Sequence, residues 1–219
     1  MKKFLKENSL SLVLFSLFFV FLVGLSITGY LHENEEMTMH AQPTITYMQY
    51  LASSSFIEAV FENWESEFLQ MGALVVLTIW LVQKGSADSK KLHGKDSVDT
   101  SSRYSIIHAS SWTNRKKAVG MALYANSLSI ALFALFFISL ILHGFSGTAA
   151  ANQEARLHNK AQVGVVEYVT SSQFWFESFQ NWQSEFLAVG TLILLSVYLR
   201  QRKSPESKPV GESNRTTGS

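Results

Sequence analysis

The sequence contains no cysteine, which excludes structural disulfides, thiol redox chemistry and cysteine-ligated metal centres together. Charge is scarce as well: Asp, Glu, Lys and Arg make up 16% of 219 residues against 47% hydrophobic, poorer in charge than an ordinary soluble domain. There is no G-x-x-x-x-G-K-[ST], no H-E-x-x-H and no G-x-S-x-G, so the phosphate cradle, the zinc-protease helix and the nucleophile elbow are missing. A pair of histidines within the apolar runs, as a membrane haem would need, is missing too. Nucleic acid is not an expected partner, because the basic residues gather beside the apolar runs, where attraction to anionic lipid accounts for them.

What the sequence does contain is four apolar runs, over 9–29, 68–82, 127–147 and 186–199. The first and third carry no acid, Lys or Arg and have about the twenty residues a helix needs to cross roughly 30 Å of hydrocarbon. The other two are shorter, but each continues a helical segment beginning near Phe56 or Phe174. A helix of about 28 residues at 1.5 Å each would cross the membrane and reach past the headgroups. Lys2, Lys3 and Lys6 precede the first run as they would in a signal peptide. That run is long for one, ends in no A-x-A site, and its NSLSLVLFSLFF returns in mid-chain as NSLSIALFALFF, so an uncleaved membrane helix is expected.

The recurrence is general. Pairing residue i with i+118 from Asn8 to Lys90 needs no gap and gives 33 identities among 83 pairs. FENWESEFL (61–69) becomes FQNWQSEFL (179–187), and Asn34, Glu36, His40 and Tyr50 match Asn152, Glu154, His158 and Tyr168. The chain is thus expected to be all-α, with four transmembrane helices arranged as two tandem parallel-repeat hairpins with helical outer segments. The first repeat covers 1–90, with spans about 8–30 and 66–83; a cytoplasmic linker covers 91–117. The second repeat covers 118–203, with spans about 126–147 and 184–200, and 204–219 read as a disordered cytoplasmic tail. Helix is expected from Glu33 to His40 until Pro43, a short helix within 45–51, and a helix start at the capping-box spacing of Ser55 and Glu58. In the second copy Ser171 or Ser172 could serve as the cap.

Charge sets the expected orientation, since short loops rich in Lys and Arg stay cytoplasmic. With both termini and the linker inside, the inner segments hold 16 Lys/Arg against six acids, and the outer segments hold two against eleven. The resulting +10 and −9 close on the net charge of +1. Two hairpins inserted the same way up are related by an axis along the membrane normal.

In the repeated phrase Trp64 and Trp182 read as interfacial anchors, with Trp80 and Tyr198 marking the opposite belt. Asn63, Ser66 and Glu67, with Asn181, Ser184 and Glu185, form a candidate polar or ion site. The two repeated carboxylates lie about 4.5 Å below their tryptophans at the helical rise, where an acid ties helices together or lines a water path. Glu36 with His40 and Glu154 with His158 are i, i+4 pairs that a twofold axis could bring together as a weak metal site. His143 has Leu25 as its counterpart, so no shared cofactor role is expected of it, and no cofactor is expected at all.

The phrases NSLSLVLFSLFF, FENWESEFLQMG, SSQFWFESFQNWQSEFLAVG and RQRKSPESKPV closely resemble a bacterial family of uncharacterised multi-pass membrane proteins catalogued as a domain of unknown function. The resemblance covers nearly the whole chain. It implies a bacterial inner-membrane protein and brings no activity or site residues. The leading expectation is a non-enzymatic membrane protein with a structural, partner-binding or envelope role, whose partners are the lipid bilayer and a second copy or another membrane protein. The alternatives are a small proton or cation conduit using Glu67 and Glu185, and a metal-dependent membrane enzyme.

Overall fold

A computed structural model describes residues 2–91, 112–214 and 217. Most of the expected linker and the end of the tail therefore lie outside the described residues. Among the described residues all regular structure is helical: α1 (Lys2–Glu7), α2 (Ser9–Met39), α3 (Tyr47–Leu51), α4 (Ser54–Leu77), α5 (Trp112–Ala125), α6 (Ser127–Leu157), α7 (Val165–Val169) and α8 (Ser172–Tyr198). α2 and α6 are long and apolar enough to cross a membrane. The 118-residue spacing reappears in the element bounds. α6 begins and ends 118 residues after α2, α7 does the same after α3, and α8 starts 118 residues after α4.

The ends of these elements follow from local chemistry. α2 and α6 both stop in a Schellman motif, in which a residue with positive φ turns the chain back so that two amides cap the last carbonyls. Ala41 (φ 55°) and Asn159 (φ 51°) occupy the left-handed position. Gln42 N–H donates to Met37 O at 2.8 Å, and Lys160 N–H donates to Ala155 O at 2.7 Å. Thr46 caps α3 through a reciprocal box with Gln49. α4 is capped by Ser53, whose Oγ accepts from Phe56 N–H at 3.2 Å, rather than by Ser55 as the spacing suggests. Ser171 does the same for Phe174 at 3.3 Å. The helix starts two residues earlier than expected, at a place where both copies of the repeat carry a serine.

The chain divides into two compact units, Met1–Phe61 with Ile141–Phe174, and Glu62–Leu140 with Trp175–Ser219. In the first, two asparagines clamp the loops after α2 and α6 to those long helices. Asn34 donates to Ile45 O at 3.1 Å and accepts from Ile45 N–H at 2.8 Å. Asn152 makes the same two bonds with Val163, at 2.9 and 2.8 Å. Tyr50 and Tyr168 are then buried over Gly29 and Gly147, each with its hydroxyl so close that a Cβ on the glycine would collide with it.

In the second unit Gly72 of α4 lets the Phe133 ring of α6 approach; a Cβ there would sit 3.3 Å from it. Trp175, Phe179 and Trp182 form an edge-to-face cluster along α8. Ser86 and Ser196 are within 3.1 Å. Although composition predicts an unstructured tail, its described part is held by hydrogen bonds: Arg200 donates to Glu212 O at 3.2 Å and to Asn214, and Gln201 N–H donates to Ser207 Oγ at 2.8 Å.

Candidate functional site

The repeated phrase does not behave as two equal copies. FENWESEFL and FQNWQSEFL differ at two places, Glu62 against Gln180 and Glu65 against Gln183. Both of those acids of α4 bond to α8. Glu62 accepts from Asn181 Nδ2 at 2.5 Å, and Glu65, fully buried, accepts from Trp182 Nε1 at 2.9 Å. The shared acids lie differently: Glu67 is exposed and Glu185 half-buried. Ser66 is buried, with its hydroxyl donating back to Asn63 O at 2.8 Å; Ser184 repeats that bond to Asn181 O at 2.8 Å. Asn63 is exposed. Of the anchors, Trp64 and Trp182 are half-buried, whereas Trp80 and Tyr198 are 71% and 67% exposed.

A further fully enclosed ionisable group is one without an ionisable counterpart in the repeat register. His143 of α6 is fully buried, stacked on Phe174 with ring centres 4.8 Å apart and planes 29° apart. A ring nitrogen of His143 and a carboxylate oxygen of Glu58 lie within 4.8 Å. Glu58 also accepts from the Tyr168 hydroxyl at 3.2 Å. Gly147 makes the room, since a Cβ there would stand 2.5 Å from the Tyr168 hydroxyl and 2.7 Å from Glu58 Oε1. Carboxylate, imidazole and phenol are therefore gathered against Phe174 by α4, α6 and α7. Such a set can hold a proton at more than one place, because each member can donate in one protonation state and accept in another. Glu58 and His143 have Phe176 and Leu25 as repeat counterparts, and neither carries a motif. The available signal was an unmatched acid and an unmatched histidine within one repeat architecture.

The expected Glu-His constellation is brought together in part. The His40 and His158 rings meet with centres 5.3 Å apart. Glu36 faces His32 instead, at 3.6 Å, and His158 Nδ1 lies 3.1 Å from the backbone carbonyl of Glu154.

Away from these groups, two ionisable side chains are displaced in their protonation. Burial, then the Glu33 and Tyr47 charges, push the Tyr50 phenol up. Burial, then Glu206, push the Asp88 carboxyl up. No curated protein and no solved structure matches the chain. Residues 1–219 match a family model described as a domain of unknown function, DUF6766, and the chain belongs to that family.

Proposed function

We propose that the protein is a non-enzymatic, multi-pass integral membrane protein in which α2, α4, α6 and α8 all span a bacterial inner membrane, with both termini cytoplasmic. The observation that carries this reading is α2: in its most apolar stretch only 6% of residues are buried. Phe15, Val20 and Phe21 are each about two-thirds exposed, which in water would be an apolar surface far beyond that of a soluble monomer. Hydrocarbon removes that cost. At 24 and 27 residues, α4 and α8 are about 36 and 40 Å long, enough to cross as well. The acids Glu62 and Glu65 then act as interhelical ties, each such bond worth about 0.6 kcal/mol within a membrane. On expression the protein should stay with the membrane fraction through an alkaline carbonate wash; release into the wash would sink the reading.

The Glu58, His143 and Tyr168 group favours a second reading, a proton or cation conduit. Ionisable groups buried in a membrane protein commonly mark such paths. Proteoliposomes should then show a flux that Glu58→Gln abolishes. Flux lost only in a Glu67→Gln, Glu185→Gln double variant would move the path to the repeated acids, and no flux above empty liposomes would remove the conduit.

A further inference from the structure

We infer that His40 and His158 form a binding site for a divalent transition metal ion, Zn2+ foremost, at the meeting point of two helix ends. Both histidines are exposed, and their ring centres are 5.3 Å apart. A metal about 2.0 to 2.1 Å from each ligating nitrogen lies about 3.2 Å from each ring centre, and at the tetrahedral angle the centres are then about 5.2 Å apart. The cis arrangement of a square-planar ion would need about 4.5 Å. The observed spacing is thus compatible with a tetrahedral ion such as Zn2+ or Co2+.

Three further observations bear on the same site. His158 Nδ1 faces the carbonyl of Glu154 at 3.1 Å. With the proton on Nδ1 donated to that carbonyl, the lone pair is on Nε2, the tautomer a ligating histidine uses. His40 is the C-cap of α2, and His158 directly follows α6. Two helix C-termini, each about half a negative charge, therefore lie beside the paired rings and favour a cation there. The loops are also fixed before any metal arrives, by the Schellman bonds and by the Asn34 and Asn152 clamps. Two imidazoles leave the remaining positions to water or to an outer partner, so the site is one of moderate affinity that joins the two outer loops.

The test uses the full chain, without an affinity tag, in detergent. Zn2+ titrated calorimetrically should bind one per chain, and Co2+ should give the intense visible bands of a tetrahedral complex. His40→Ala and His158→Ala should each weaken binding by at least about tenfold and abolish the tetrahedral spectrum, with helix content unchanged. His143→Ala should leave binding intact. Equal affinity in the wild type and the His40→Ala, His158→Ala double variant would overturn the proposal, as would binding lost in His143→Ala alone. Neither result bears on whether α4 and α8 span the membrane.

Discussion

Tyr50 and Tyr168 occupy the same place in the 118-residue register, each over a glycine and each against a phenylalanine, Phe56 or Phe174. Only what surrounds them differs. Around Tyr50 the hydrogen-bonded and ring neighbours are neutral: Ser26 and Tyr47 are hydrogen-bonded at 2.6 Å, and Tyr30 packs on both Tyr47 and Tyr50, while the Glu33 carboxylate acts on the phenol through its charge. Around Tyr168 the corresponding positions are Gly144, Val165 and Thr148, and the space goes to Glu58 and His143. One tyrosine is enclosed by hydroxyl groups and rings with the Glu33 carboxylate acting on it through its charge, and the other donates a hydrogen bond to a carboxylate beside an imidazole. The two matched tyrosines thus share their packing and differ in whether a carboxylate is hydrogen-bonded to the phenol.

Both glycines are the first place to break the comparison. Gly29→Ala and Gly147→Ala each force a buried tyrosine ring away from its helix, and each should lower stability by about 3 kcal/mol, the upper part of the usual overpacking range. Thermal unfolding in detergent would measure both; a large loss at only one would mean that the pockets are not equivalent in packing. The asparagine clamps should also cost alike, about 2 kcal/mol for Asn34→Ala and for Asn152→Ala, since each removes two backbone bonds worth about 1 kcal/mol apiece.

The tyrosines themselves should part company. Tyr168→Phe takes a donor from Glu58 and should cost about 1.5 kcal/mol, whereas Tyr50→Phe should cost about 0.5 kcal/mol or less. Similar losses would erase the distinction between a tyrosine hydrogen-bonded to a carboxylate and one that is not. Tyr50 offers a pH test as well. Its phenol is pushed up by burial first and then by Glu33 and Tyr47, so the native state favours the neutral form. That contribution is whole below the ordinary tyrosine pKa of about 10 and is lost as pH rises through the higher native value. Unfolding temperature should therefore fall above about pH 10, and the fall should shrink in Tyr50→Phe. The smallest effect belongs to the helix ends: Ala41→Gly should stabilise by about 0.5 to 1 kcal/mol because Ala41 holds a positive φ. Asn159→Gly should gain less, asparagine being tolerant of that conformation.

Much of the fold was legible in the residues. The 118-residue offset gave the order of elements, and the matched Asn34 and Asn152 and the matched tyrosines turned out to pin the loops after α2 and α6 in the same way. Pairing also singled out His40 and His158, which do meet. The site was less legible, for a physical reason. Identity between copies marks what both halves need to fold, while an interhelical tie or an ionisable centre can use one copy only. Glu62, Glu65, Glu58 and His143 are all unmatched by charge in the other half, and attention to the shared Glu67 and Glu185 passed over them. The serine caps show the converse, since Ser53 and Ser171 are shared and the spacing rule favoured Ser55, which is not.

Four spans with both ends inside can be tested by accessibility, and the lack of native cysteine makes the readout clean. Thr44→Cys and Ala161→Cys lie in the two outer loops, at exposed positions, and Lys91→Cys lies at the start of the inner segment. With a membrane-impermeant maleimide applied to intact cells whose outer membrane has been made permeable, the first two should label and the third only after the inner membrane is opened. Labelling of Lys91→Cys in sealed cells, or labelling of only one of the two outer positions, would contradict the four-span arrangement.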